Sequence, residues 1–225
     1  MRGHGRWVCL DVGETLIDET RIWSTWADVL GVPRLTFMAL LGAVIARGGE
    51  HHDAFASLGV ADWRALVPVV DAAFGGFRDA DLYPDARTVV PSLRDRGYRV
   101  AIIANQPASR GAELRALGVE AEVMAMSEEL GVAKPDPAFF ARALEVMGSP
   151  NPADVAYVGD RIDNDVVPAA TAGMRAVWIR RGPWAAIQAP GRLDPELSDR
   201  LPATLTVVSL TELANRIEEA FSTRL

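Results

Sequence analysis

The chain has 225 residues, with 23 cationic and 30 acidic side chains for a net charge of −7. That length supplies one domain, or one domain with a sizeable insertion, and the acidic balance disfavours nucleic acid or an anionic membrane as partner, since both need clustered positive charge. With 49% apolar and 24% charged residues the chain is expected to be globular, and the single Cys9 excludes an internal disulfide or a thiolate metal cluster.

The first predicted element is an apolar run at 7–10, a buried strand that ends in a polar tip at Asp11 and is broken by Gly13. An acidic residue so soon after a few apolar ones fits no signal peptide, and the expected location is cytoplasmic. Residues 17–83 depart from any strand–helix alternation. They read as helices at 20–30, 33–47, 52–58 and 62–77, with Trp23 and Trp26 as part of a packing stripe. The longest nearly uncharged helical stretch, 35–46, is too short to span a bilayer. His51 and His52 are adjacent, so they do not share a helix face, and they read as a solvated turn.

From residue 84 strands and helices alternate. Strands are expected at 99–104, 121–125, 155–158, 176–179 and 205–208, and helices at 85–96, 110–117, 137–147, 165–172 and 211–221. This alternation predicts an α/β fold, a Rossmann-like parallel sheet core with an inserted α-helical cap. The core would be 1–16 plus 84–225 and the cap 17–83. In such sheets chemistry sits beyond the carboxyl ends of the strands, which brings Asp11, Asn105 and Asp160 together. Arg180-Arg181-Gly182 reads as a solvated basic turn, and 182–203 as a long wandering loop.

Three segments carry chemistry. Asp11 at a strand tip before a glycine turn is either a turn cap or a nucleophile and metal ligand. Gly159-Asp160-Arg161-Ile162-Asp163-Asn164-Asp165 places three carboxylates within six residues, which repel unless a cation offsets them. Asp163 there reads as a helix N-cap, whereas oxygen-only ligands around Asp160 suit Mg²⁺. Of the 23 cations 22 are arginine, and the lone lysine, Lys134, precedes a helix in Lys134-Pro135-Asp136-Pro137. In a chain that uses arginine everywhere else, that position points to a need for a compact ammonium.

Asp11-x-x-x-Thr15, Asn105 after the second core strand, Lys134-Pro135 and Gly159-Asp160-x-x-x-x-Asp165, in this order, resemble the haloacid dehalogenase superfamily, and the helical insertion resembles its C1 type of cap. The resemblance implies that Asp11 attacks phosphorus to form an aspartyl-phosphate. It implies Mg²⁺ held by Asp11, the Gly13 carbonyl and Asp160, with Asp165 supporting the metal waters. Lys134 would orient Asp11 and the phosphoryl group, and Asn105 would bind phosphate. The implied activity is that of a Mg²⁺-dependent phosphatase acting on a small phosphorylated metabolite. Two positions depart from the family's pattern. Phosphatases of the family usually have an aspartate acid–base where Gly13 stands, and a serine or threonine where Ala104 stands. Glu14, one residue along, is expected to point elsewhere. The alternatives are a non-catalytic relative that binds a ligand or partner, and a dehalogenase, in which the aspartate attacks carbon without metal.

Overall fold

The computed structural model describes residues 5–189, 191, 195–202 and 204–222. Six strands form one parallel sheet: β1 (Trp7–Leu10), β2 (Arg99–Ala104), β3 (Val123–Met126), β4 (Val155–Gly159), β5 (Arg175–Ile179) and β6 (Leu205–Val207). Their spatial order is β3-β2-β1-β4-β5-β6, with Leu10 opposite Ile102 on one side and Val158 on the other. The strand order therefore reverses at β1, and a crevice opens beyond its carboxyl end.

Period-two alternation divides the strand residues between two faces. Val8, Leu10, Val100, Ile102 and Val158 pack under helices Ala86–Asp95 and Leu210–Ser222. Trp7, Cys9, Ile103 and Tyr157 pack under Pro137–Val146, whose Phe139 and Phe140 are fully buried. Burial on both faces is why these strands read as unbroken apolar runs rather than alternating ones.

Several boundaries and roles differ from the sequence expectation. β3 starts at Val123 rather than residue 121, because Glu122 is half-exposed and held by Arg99. The helix expected at 165–172 is a wide turn, Ile162–Val166, followed by a short helix, Val167–Thr171. Both Asp165 and Val166 donate their N–H groups to the Arg161 carbonyl, which widens the turn. The segment 182–203 is not one long loop. Gly182–Ile187 and Pro195–Asp199 are helical, and Pro183 in the first turn of the former is preset for a helix start.

The inserted helices Thr20–Val29, Arg34–Ile45, Asp53–Ser57 and Val67–Phe74 enclose a third apolar cluster of their own. Phe37, Leu41 and Ile45 recur every four residues and line one helix face in it. Trp184, from the helix after β5, plugs the same cluster and is 4% exposed. The two chain crossings between insertion and sheet lie side by side: Ile17 bridges Leu82, the Asp18 N–H donates to the Asp81 carbonyl, and the Tyr83 N–H to the Leu16 carbonyl. No single helix among the described residues is long and apolar enough to cross a membrane.

Candidate active site

Asp11 leaves the end of β1 with its N–H bonded to the Val158 carbonyl of β4 at 2.9 Å, which fixes its backbone in the crevice. Asn105 follows β2 and Asp160 follows β4, so the strand order brings the three together. Lys134 arrives from the segment before helix Pro137–Val146. Its Nζ stands 2.8 Å from Asp11 Oδ1 and 2.5 Å from Asp165 Oδ1. All four charged groups are buried: Asp11 is 7% exposed, Lys134 4%, Asp160 2% and Asp165 1%.

One oxygen from each of Asp11, Asp160 and Asp165 lies within 4.8 Å of the others. The Lys134 ammonium pairs with two of these three carboxyl groups, Asp11 and Asp165. Burial, with Asp165 and Asp11 close by, pushes the Asp160 carboxyl well above the usual range. Burial also pushes Asp11 upward, against the pull of the Lys134 ammonium. Lys134 is held firmly charged by the two carboxylates, which outweigh its own burial. Asp160 Oδ2 is buried without a hydrogen-bond partner among the described residues. An orphaned carboxylate oxygen beside two further acids, with no sulfur or imidazole nearby in the cluster, fits a hard divalent cation such as Mg²⁺.

The backbone around the cluster is built for close approach. A Cβ on Gly159 would lie 2.3 Å from Asp165 Cγ, so only glycine lets Asp165 fold back over the strand end. Asp165 Oδ2 then accepts the Arg161 N–H at 3.0 Å. The Asn105 side chain braces Lys134: its Oδ1 accepts the Lys134 N–H at 2.7 Å and its Nδ2 donates to the Lys134 carbonyl at 2.9 Å. One Nδ2 hydrogen is left over for an anion in the crevice. Glu14 adopts a left-handed φ of 47° and turns away from Asp11. Its carboxylate accepts the Tyr83 hydroxyl at 2.5 Å and the Glu19 N–H at 2.9 Å.

Above the cluster a cavity of about 340 Å³ reaches from Asp11, Lys134 and Asp160 to the inserted helices. Its far wall is aromatic, with Trp23, Trp26, Trp63, Phe74, Phe77 and Trp184. Trp23 and Trp26 thus line the cavity as well as packing the insertion. His51 is no solvated turn residue. Its ring sits 5.1 Å from both Trp23 and Trp184, with Nε2 3.3 Å from Arg161 Nη1. Enclosure there, with the Arg161 charge beside it, pushes its pKa down to about 3, so the ring is neutral. His52 remains exposed.

Two other roles are corrected. Asp163 caps no helix; Arg161 engages both its oxygens, at 2.9 and 2.6 Å. Arg181 is no solvated basic residue, since it ties Asp85 at 2.7 Å to the Thr15 carbonyl at 2.9 Å and so braces the loop after Asp11. Arg110 is buried in the cavity wall, paired with Asp71 and Glu113. Sequence reasoning also passed over Glu19, whose carboxyl lines the cavity beside Gly13. Trp23 Nε1 and Gln106 Nε2 each donate to it at 3.3 Å, and neither is a cation. Burial, with Glu14 and Asp11 nearby, pushes it up to about 8. Just before a helix that starts at Thr20, Glu19 reads as an ordinary acid at a helix N-terminus; the one sequence signal was its i,i+4 spacing to Trp23.

Residues 6–173 match the haloacid dehalogenase-like hydrolase family. The chain is 35% identical over 121 residues to a glyceraldehyde 3-phosphate phosphatase of Methanopyrus kandleri, a match covering 52% of this chain and 50% of that protein. It is 36% identical over 117 residues to a phosphoserine phosphatase of Thermus thermophilus, covering 51% and 47%. The matches thus span about half the length of these relatives. Among solved structures, the putative hydrolase YfnB of Bacillus subtilis bound to magnesium superposes with a TM-score of 0.68 at 18% identity, over 94% of this chain and 98% of that one.

Proposed function

The chain belongs to the haloacid dehalogenase-like hydrolase family, and from that premise we propose that it is a Mg²⁺-dependent phosphatase of a small phosphorylated metabolite, working through a phosphoryl group carried on Asp11. The observation that carries this reading is the buried cluster at the end of β1, where Lys134 Nζ lies 2.8 Å from Asp11 Oδ1 and the Asp160 and Asp165 carboxylates converge on the same point. Relatives named as phosphatases support it. In this reading residues 17–83 form a C1-type cap over a core of 1–16 and 84–225.

The division of labour follows from charge. Asp11 Oδ2, the oxygen not held by Lys134, is the nucleophile. Lys134 keeps Asp11 oriented and offsets the negative charge that a phosphate dianion brings in. Asn105 donates its spare hydrogen to the phosphoryl group, with Ala104 supplying none. Asp11, the Gly13 carbonyl and Asp160 would hold a magnesium ion, with Asp165 supporting its waters, and when bound it would supply further charge neutralisation for phosphoryl transfer. The aromatic wall encloses the rest of the substrate and excludes water.

The test is phosphate release from sugar phosphates, nucleotides and p-nitrophenyl phosphate, with Mg²⁺ and with EDTA, beside Asp11→Asn. Metal-dependent release lost in the variant is expected. Release that is unchanged in Asp11→Asn contradicts the reading.

A further inference from the structure

Phosphoryl transfer from an ester to Asp11 expels an alkoxide, which leaves slowly unless a positioned acid protonates it. The position two residues beyond the nucleophile is Gly13 and carries no side chain, and Glu14 is turned away to Tyr83. Yet the volume next to Gly13 is filled. A Cβ on Gly13 would lie 2.5 Å from Glu19 Oε1, 2.7 Å from its Cδ and 3.2 Å from its Oε2. The Glu19 carboxyl therefore occupies the space that the side chain of residue 13 would take, in the wall of the cavity that holds Asp11.

The surroundings suit a working acid rather than a structural one. The hydrogen bonds to this carboxyl come from Trp23 and Gln106, both neutral and both long at 3.3 Å. Several other ionisable groups around the cavity are engaged elsewhere. Lys134 binds two carboxylates, Asp165 binds Lys134 and the Arg161 N–H, and Asp71 binds Arg110. His51 Nε2 faces the Arg161 guanidinium.

From this placement we infer that Glu19, entering from the start of the inserted helices, is the acid–base residue of the reaction, in the place that Gly13 leaves open. The inference rests on the phosphatase reading above. As the Asp11 oxygen–phosphorus bond forms and the ester phosphorus–oxygen bond breaks, the Glu19 carboxyl gives its proton to the leaving oxygen, and a neutral alcohol departs. In the second half the Glu19 carboxylate takes a proton from water as the water oxygen bonds to phosphorus. The Asp11 oxygen–phosphorus bond breaks, releasing phosphate and restoring both carboxyl groups. The arrangement puts the acid on the insertion and the nucleophile on the sheet, so chemistry requires the two to be together.

The test is a substitution swap read by leaving-group dependence. With Mg²⁺, kcat/KM is measured for p-nitrophenyl phosphate, whose leaving group needs little help, and for an alkyl phosphate that the wild type turns over. Glu19→Gln, nearly the same size, is expected to lose about 10²–10⁴-fold on the alkyl ester and far less on the aryl ester. Gly13→Asp is expected to be poor on both, because its side chain collides with Glu19. The combination Gly13→Asp with Glu19→Ala is expected to recover alkyl-ester activity well beyond either single variant, a strong positive coupling between two neighbours. Thermal melting of each variant separates loss of fold from loss of chemistry. Equal loss on both esters in Glu19→Gln, no loss on either, or no recovery in the double variant overturns the inference while leaving the phosphatase reading intact. A folded wild type that releases phosphate from neither ester overturns both.

Discussion

At the ends of β1 and β4 three buried carboxyl groups and one ammonium stand close together, whereas the inserted helices facing them keep an interior of rings and aliphatic groups. The first region is held by backbone: strand register, the tight approach at Gly159 and the Asn105 brace decide where each charge sits. The second is held by packing, with Trp26 against Phe55 at 4.6 Å and Trp184 reaching in from the sheet side. A region fixed by backbone can sustain charge repulsion that ring packing could not. In the proposed reaction the floor of the cavity would handle the charged group and the roof would enclose the organic one.

The comparison breaks most visibly at Lys134. Replacing it with methionine removes the ammonium that pairs with Asp11 and Asp165, and an uncompensated buried charge costs about 3–5 kcal/mol. Urea denaturation is expected to show that loss, and phosphate release is expected to fall at least about 10²-fold. In the roof, Trp184→Ala opens a cavity at a residue 4% exposed, at a cost of about 3–5 kcal/mol, with the floor's charges unmoved. Thermal melting reads that loss, and retained Mg²⁺ stabilisation shows the floor intact.

Much of this was legible in the sequence, for identifiable reasons. Strands buried on both faces read as apolar runs, so β1, β2, β4 and β5 could be placed within a residue. Asp11, Lys134 and Asp160 stand out because a strand tip, a lone lysine and a carboxylate run are local signals. Glu19 was not legible, since its importance depends on the Cβ that Gly13 lacks. His51 was misread because the rings that enclose it, Trp23 and Trp184, are far apart in the chain, and Arg181 because its partner Asp85 is 96 positions away.

Two smaller effects sharpen the contrast. Asp160→Asn removes a buried carboxylate that has an orphaned oxygen and faces two other acids. The metal-free protein is expected to gain about 1–3 kcal/mol, while the rise in melting temperature on adding Mg²⁺ is lost. Away from the site, burial raises the Asp81 carboxyl, but Arg21 and the Arg78 N–H more than offset this and hold it below the usual range. A depressed carboxylate contributes stability above its unfolded value of about 3.9 and loses it as pH falls through the folded value. Asp81→Asn is expected to cost about 1.5 kcal/mol at neutral pH, with the gap to wild type closing below about pH 4 in denaturation measured across pH.

The central claim is that Asp11 carries the phosphoryl group, and the direct measurement is to quench the enzyme in acid during turnover of p-nitrophenyl phosphate with Mg²⁺ and locate phosphate by peptide mass spectrometry. The account predicts a phosphorylated peptide containing Asp11, absent from Asp11→Asn. Phosphate released at full rate with no phosphorylated Asp11 peptide, or with the label on another residue, would contradict it.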